Sequence, residues 1–233
     1  MGAKYESGMD YLPIFDEGVY DKETGLCLIA DTGLTGLFIK DCTSLITLAE
    51  TAGYVEDISE LIARKECAEK SLMKLWSEED GMFENKDLVT GELSKRLAAS
   101  NFYCLFSSKL TEEQKKSVIE KHLLNPEEFW GEYVIPNISR NDPAYVEQNY
   151  WRGRIWAPVN AIVYEALKDV KYIDVAKMLA DKSEKLLLKE WCENRRVHEN
   201  YHGDTGMGCM KQSESFYHWG ALLGYIAIDA GEL

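Results

Sequence analysis

The stretch Asn149-Tyr150-Trp151-Arg152-Gly153-Arg154-Ile155-Trp156-Ala157-Pro158 places two tryptophans, a tyrosine, two arginines and a glycine within ten residues. Aromatic rings offer flat apolar faces with polar edges, a guanidinium offers a planar set of donors, and glycine lets the backbone approach a ligand closely. These are the groups that a sugar site needs. The alternative is that the tryptophans only anchor a helix start to the core while the arginines are solvated. The density of the run favours the sugar site.

The composition indicates one globular domain over residues 1–233, since 45% of the chain is hydrophobic and 28% is charged. A formal net charge of −14 argues against nucleic-acid binding, which relies on lysine and arginine to neutralise phosphates. An uncharged or weakly charged ligand fits better. The six cysteines include no CxxC pair, so neither a zinc knuckle nor a thioredoxin-type centre is indicated. We expect reduced thiols and a cytoplasmic location.

The first seven residues lack the pattern of a secretory signal, and no apolar stretch approaches the roughly 18 to 20 residues that span a bilayer. We therefore expect no export and no membrane association. No capped helix or strand precedes the chemically unusual residues near Met1, so we expect the chain to begin within a domain.

The apolar periodicity predicts an all-helical protein with long loops, and no segment shows the sustained alternation of a half-buried strand. A short extended piece is expected at Met82 and Phe83. The unusual residues lie in the predicted loops 5–36, 129–157 and 194–214. The predicted helices span residues 41–53, 57–77, 97–106, 111–122, 158–168, 173–191 and 215–230.

Four motifs occur in order along the chain: Glu-Ser-Gly-Met-Asp (6–10), Tyr-Trp-Arg-Gly-x-Ile-Trp (150–156), Glu-Asn-Tyr (199–201) and Phe-Tyr-x-Trp-Gly (216–220). Together they resemble glycoside hydrolase family 63, which includes processing alpha-glucosidases and mannosylglycerate hydrolases and is similar to the trehalases. The resemblance implies an (α/α)6 toroid, a carbohydrate substrate with an alpha-linked glucoside or mannoside bond, and no cofactor. It also implies inverting hydrolysis, in which two carboxyl groups stand about 6.5 to 9.5 Å apart.

By this resemblance, Asp10 matches the general acid and Glu199 the general base. By the residues alone, Asp10 also fits a turn or cap beside Gly8, and Glu199 also fits a solvated loop acid. The order of the four motifs favours the catalytic roles. An acid needs a partly desolvated, aromatic pocket, which Tyr11, Trp151 and Trp156 are expected to line, whereas a base needs a polar, hydrated one.

The resemblance extends to residues expected to bind the sugar. Gly153 has the alternative role of a turn glycine, and Arg152 and Arg154 have the alternative of pairing with acidic side chains in this acidic protein. Glu6 has the alternative of a solvated carboxylate. The predicted substrate-binding residues are Glu6, Tyr150, Trp151, Arg152, Gly153, Trp156, Tyr201 and Trp219.

The histidine pair His198 and His202 has a spacing that would suit zinc on a helix. Gly203 and the polar residues around it favour a loop instead. We therefore expect no metal site.

The chain departs from the family at Tyr11-Leu12-Pro13, where the family usually continues with Asn-Ser-Pro. The chain is also short. A complete toroid of twelve helices takes roughly 350 to 450 residues, whereas this chain has 233 residues and seven predicted helices, a size typical of one ordinary domain. We expect a toroid that is incomplete on its N-terminal side, with apolar faces that favour a homo-oligomer or a second chain that completes it. A fragment, a chain completed by a partner and a decayed homologue are the competing explanations. The functional alternatives are a non-catalytic carbohydrate-binding or assembly protein and another toroid enzyme, such as an epimerase or phosphorylase.

Overall fold

The computed structural model describes residues 7–16, 18 and 20–231. Helices dominate these residues, and the extended pieces are short. The α-helices are α1 (Thr32–Ala52), α2 (Val55–Leu72), α3 (Glu112–Lys116), α4 (Ala157–Asp169), α5 (Ile173–Asn194) and α6 (Leu222–Ala230). The helix α3 continues as a π-helix over Ser117–Leu123, and 3-10 segments span Pro13–Phe15, Met73–Leu75, Ala99–Phe106, Tyr145–Glu147 and His218–Ala221.

Within the described ranges, four two-residue strands form two antiparallel ladders. The strand β1 (Ile29–Ala30) pairs with β4 (Lys86–Asp87), with Ile29 opposite Asp87. The strand β2 (Trp76–Ser77) pairs with β3 (Met82–Phe83), with Trp76 opposite Phe83. The extended piece predicted at Met82 and Phe83 is thus confirmed as one strand of a short hairpin.

The first long helix begins well before its predicted start at Asp41. Asp31 caps it by accepting a hydrogen bond from the Leu34 amide at 2.9 Å. Its first turns are buried through glycine, since a Cβ on Gly36 would stand only 2.3 Å from the carbonyl oxygen of Tyr103. A helix that packs through glycine carries no apolar periodicity there, which is why the sequence pattern placed its start too late.

The predicted helix over 97–106 is instead a buried 3-10 segment, Ala99–Phe106. The helices predicted over 111–122, 158–168 and 173–191 are confirmed as α3 with its π continuation, α4 and α5. Thr111 caps α3 as expected, because its Oγ1 accepts the Gln114 amide at 3.2 Å while the Gln114 side chain accepts the Thr111 amide at 3.0 Å.

Backbone pairing holds the site-bearing loops side by side at the end of the helical core. Ile155 and Tyr201 exchange two hydrogen bonds, of 2.8 and 3.0 Å. Pro136 pairs with the other side of Ile155, and Gly208 pairs with Tyr201. The segments that carry the tyrosine-tryptophan-arginine run and the Glu-Asn-Tyr motif therefore have a fixed mutual register. Among the helices that the structure describes, none has the length and apolarity needed to cross a bilayer.

Candidate active site

Asp10 and Glu199 lie on the wall of one open cavity of about 690 Å³. Although they stand far apart in sequence, the fold brings both carboxyl groups to a common space. That space has a volume in the range typical of small-molecule sites. The residues that line it are Asp10, Tyr11, Asn149, Tyr150, Glu199, Gln212, Ser213, Glu214 and Tyr217.

The segment that carries Asp10 is anchored by its apolar neighbours. Met9, Leu12, Ile14 and Phe15 are buried in the main core. Local turns join them, because the Leu12 amide donates to the Met9 carbonyl at 3.0 Å and the Phe15 amide donates to the Leu12 carbonyl at 3.1 Å. Asp10 itself is only half-buried. These buried apolar residues thus anchor the segment from which Asp10 and Tyr11 reach the cavity wall.

Tyr150 stands at the tip of a tight turn. Asn149 and Arg152 close the turn with two hydrogen bonds, of 3.0 and 2.9 Å, and Tyr150 has a φ of +53°. A bulky residue in this left-handed region costs of order 1–3 kcal/mol and persists only where the surroundings fix it. Burial is the main cause that raises the pKa of the Tyr150 phenol, and the negative charges of Glu199 and Asp10 raise it further. The phenol therefore stays protonated beside both carboxylates and is able to donate a hydrogen bond.

Trp151 and Trp156 lie beneath Tyr150 and not on the cavity wall. Their rings stack at 3.8 Å with an interplanar angle of 6°. Trp151 is 4% exposed and Trp156 is fully buried, with its Nε1 donating to the Tyr150 carbonyl at 3.1 Å. Trp219 contacts Trp156 from the side, at 5.9 Å between ring centroids. The structure thus gives the tryptophans a supporting position, and the rings that reach the cavity are those of Tyr11, Tyr150 and Tyr217.

Arg152 faces two carboxylates and does not line the cavity. Its Nε and Nη2 donate to Glu147 at 2.6 and 2.9 Å, and its Nη1 and Nη2 donate to Asp16 at 2.9 Å each. The remaining Nη1 hydrogen bond reaches the Tyr11 carbonyl at 3.3 Å. The five N–H donors are thus all engaged, which is the ion-paired alternative that the sequence left open.

Gly153 and Arg154 also have architectural contacts. Gly153 has a φ of +95°, and a Cβ there would stand 2.3 Å from the Tyr145 carbonyl oxygen. Buried Arg154 donates through Nη1 to Asn200 Oδ1 and to the Lys211 carbonyl, each at 3.0 Å. Arg154 therefore fixes the backbone that leads into Gln212, Ser213 and Glu214 on the cavity wall.

Glu199 is held by its neighbour across the loop. Its amide donates to the Glu214 carbonyl at 3.0 Å, and its Oε2 accepts the Glu214 amide at 2.9 Å. Tyr201 is fully buried, and its hydroxyl accepts the His198 amide at 3.1 Å. The Glu199 carboxylate thus has a defined orientation, and Tyr201 supports the loop from below.

The histidines of this loop have separate partners. His198 Nε2 lies 3.2 Å from Glu190 Oε2 in a buried pair, whereas His202 Nδ1 accepts the Asp204 amide at 3.2 Å. Over the described ranges 7–16, 18 and 20–231, the structure contains no group of three or more His, Cys, Asp or Glu side chains that could hold a metal ion.

Glu6, predicted to bind sugar, lies outside the described residues. Conversely, the prediction omitted five residues of the wall. Tyr217 and Asn149 stand within stretches that the sequence had already singled out, so their position was a usable signal. Gln212, Ser213 and Glu214 have no local signal, because contacts from Arg154 and Glu199 place them. The omitted wall residues are Asn149, Gln212, Ser213, Glu214 and Tyr217.

Two curated relatives match most of the chain. A mannosylglycerate hydrolase from Thermus thermophilus is 30% identical over 201 residues, which cover 84% of this chain and 44% of the relative. A mannosylglycerate hydrolase from Rubrobacter radiotolerans is 27% identical over 228 residues, which cover 95% of this chain and 49% of the relative. The chain thus spans about half the length of the curated relatives it matches.

The fold is similar to that of solved (α/α)6 toroid enzymes. A crystal structure of a family 63 mannosylglycerate hydrolase from Thermus thermophilus in complex with glucose has a TM-score of 0.79 at 24% identity, covering 96% of this chain and 60% of that one. A neutral trehalase from Saccharomyces cerevisiae has a TM-score of 0.68 at 18% identity, covering 91% of this chain and 40% of that one. The predicted all-helical toroid class and the predicted family are confirmed. Since residues 3–219 match the domain described as "Mannosylglycerate hydrolase MGH1-like glycoside hydrolase domain", the chain belongs to that family of glycoside hydrolases.

Proposed function

We propose that this protein hydrolyses an alpha-linked glucoside or mannoside with inversion, with Asp10 as general acid and Glu199 as general base. The observation that carries the proposal is that Asp10 and Glu199 line one cavity. The name shared by its relatives, mannosylglycerate hydrolase, supports a mannoside as the first substrate to test.

In this mechanism Asp10 protonates the leaving oxygen while Glu199 takes a proton from the attacking water on the opposite face of the sugar. The Glu214 amide orients the Glu199 carboxylate, and the neutral Tyr150 phenol supplies a hydrogen-bond donor on the same cavity wall. Tyr11 and Tyr217 offer aromatic faces to the sugar.

The test compares Asp10→Asn and Glu199→Gln with wild type, using alpha-mannosides and alpha-glucosides and following the anomeric proton of the product by NMR. We expect each substitution to lower kcat by about 10²–10⁴-fold, because each removes a proton-transfer group. The exposed Asp181 on α5 provides a matched control, and Asp181→Asn should leave kcat unchanged. Unchanged turnover in both site variants would reject the roles, and a product of retained configuration would reject inversion.

A non-catalytic carbohydrate-binding protein is the second candidate, and Tyr11 is the observation that favours it. This ring is 54% exposed and lines the cavity directly beside Asp10, at a position suited to stacking on a sugar. If this candidate is right, sugars bind in titration calorimetry with no turnover, Tyr11→Ala weakens binding, and Asp10→Asn does not.

We also propose a cytoplasmic setting, and the state of the thiols supports it. The six cysteines all lie in the described part of the chain and form no disulfide: Cys27, Cys42, Cys67, Cys104, Cys192 and Cys209. Reduced thiols are typical of reducing compartments. Immunolocalisation of the protein in its own cells tests this, and detection outside the cytoplasm would contradict it.

We further propose that a second copy or a second chain covers the helical hairpin α1/α2. Large apolar side chains on it face solvent, and a groove of about 460 Å³ runs between the two helices. Helix faces of this kind are expected to be buried in an assembled protein. The exposed side chains are Leu34, Phe38, Leu45, Leu48, Tyr54, Val55 and Ile62.

A further inference from the structure

Arg152 joins the two segments that carry the predicted acid and the strained tyrosine. On one side it contacts Asp16 and the Tyr11 carbonyl, which belong to the segment of Asp10. On the other side its own backbone closes the Tyr150 turn through two hydrogen bonds with Asn149. One side chain therefore couples two parts of the cavity wall that are more than a hundred residues apart in sequence.

The ion pairs continue beyond Arg152 and fix its partner Asp16. Arg96 donates through Nη1 to Asp16 at 3.2 Å, and through Nε and Nη2 to Asp142 at 2.8 Å each. Asp142 in turn accepts the Ala144 amide at 2.8 Å. Asp16 is thus held between two guanidinium groups, so its position relative to the Tyr150 turn is determined from both sides.

The planar fork of arginine is required for these contacts. Arg152 meets Asp16 and Glu147 with a pair of parallel hydrogen bonds each, which a lysine ammonium cannot reproduce with its compact charge and three donors. The side chain is also mostly shielded from solvent, with 14% exposed. The engagement of all five donors leaves no N–H group to bind a sugar hydroxyl.

We propose that Arg152 is a positioning residue, which holds the Asp10 segment and the Tyr150 turn in one geometry and does not itself bind the substrate. The catalytic consequence rests on the proposed hydrolase function, whereas the coupling of the two segments does not.

The experiment measures amide hydrogen exchange and steady-state kinetics for wild type, Arg152→Lys, Arg152→Met, Asp16→Asn and the Arg152→Met/Asp16→Asn double variant. We expect the two Arg152 variants to raise exchange rates about tenfold or more in both segments, because locally held backbone opens when its anchor is lost. Exchange within α5 should stay unchanged, which separates a local effect from general unfolding. The reporting amides are those of Leu12, Phe15, Asp16, Asn149 and Arg152, each of which donates to a nearby carbonyl.

The double variant tests whether Arg152 acts through Asp16. If it does, the double variant exchanges at about the rate of Arg152→Met alone, since contacting partners are not additive. Arg64→Met is the matched control, because Arg64 forms an exposed pair with Glu60 on α2, and it should change neither segment.

The kinetics separate positioning from ligand binding. Positioning predicts that Arg152→Lys and Arg152→Met lower kcat by about tenfold or more with little change in KM, because the reacting groups lose their geometry. Unchanged exchange in both segments, or a raised KM with unchanged kcat, overturns the proposal. If wild type shows no hydrolysis with any sugar, the proposed function fails, and the exchange data still decide whether Arg152 couples the segments.

Discussion

At the residue scale, substitution of Gly153 measures how closely the residues next to the cavity are packed. Its φ of +95°, and the 2.3 Å that would separate an added Cβ from the Tyr145 carbonyl oxygen, predict that Gly153→Ala destabilises the fold by about 3 kcal/mol or more. Gly91 has a φ of +79° with nothing within 4 Å of its Cβ position, so Gly91→Ala should cost only about 1 kcal/mol. Urea denaturation of both variants measures the difference. Equal costs would show that backbone conformation alone, and not close packing, requires the glycine.

The sequence could identify residues whose chemistry is intrinsic, but not those whose role depends on partners. The motif order named Asp10 and Glu199, and both line one cavity, but their catalytic roles stay predictions. Arg152 has the same side chain whether it binds a sugar or an acid, and only the fold brings Asp16 and Glu147 to it. Likewise, no local pattern shows that Trp156 is fully buried. The assignment of Arg152 and Trp156 as substrate-binding residues remains a prediction, and the contacts just described argue against it.

At the element scale, the connection between β3 and β4 contains a buried carboxyl group with a consequence for stability. Glu84 is 1% exposed, and burial together with the neighbouring Asp80 carboxyl raises its pKa to about 7. In the unfolded chain its pKa is about 4.3. Between these values the folded state binds a proton that the unfolded state does not, so the contribution of Glu84 to stability is fully present below about pH 4.3 and is lost as the pH rises through 7.

We expect the free energy of unfolding to fall by about 2–3 kcal/mol between pH 5 and pH 7.5, as measured by urea denaturation. Glu84→Gln should remove most of this slope. The pKa of Asp80 is lowered, chiefly by its hydrogen bond with Lys95, so Asp80 titrates below this window. Glu79→Gln is the control, because this exposed neighbour should leave the slope intact. A wild-type stability that rises from pH 5 to pH 7.5 would contradict the assignment to Glu84.

The elements that the sequence predicted well are those that bury an apolar stripe. Helices α4 and α5 have such stripes, and their bounds fall within a few residues of the predicted ones. The predicted start of α1 was too late, and the segment Ala99–Phe106 was predicted as an α-helix but is a 3-10 helix. Both errors arise because Gly33 and Gly36 of α1 pack directly on that segment. Contacts made through glycine and the backbone produce no apolar periodicity in the sequence, so a pattern search does not detect them.

At the scale of the whole molecule, the helical hairpin α1/α2 is notable for the apolar side chains that it exposes. Its packing against the rest of the protein is limited to the first turns of α1 and the end of α2, where Thr32, Gly33, Gly36, Ile39 and Cys42 of α1 and Glu69 and Leu72 of α2 are buried. Leu37 and Ala68 also pack against the core, whereas Leu34, Phe38, Leu45, Leu48, Val55 and Ile62 face solvent. Since an exposed apolar groove favours association, contact with another chain at the hairpin would bury apolar surface.

This arrangement predicts concentration-dependent association through the hairpin. Leu48 and Val55 are 62% and 70% exposed, so a Leu48→Lys/Val55→Lys variant should fold normally and remain monomeric, whereas wild type should form dimers or larger species at tens of micromolar. Light scattering coupled to size exclusion, over a concentration series, measures the mass. Ile228→Lys on α6 is the matched control, because this side chain is 75% exposed but lies outside the hairpin, and it should associate as wild type does. A wild-type mass that stays monomeric at every concentration would contradict self-association through the hairpin.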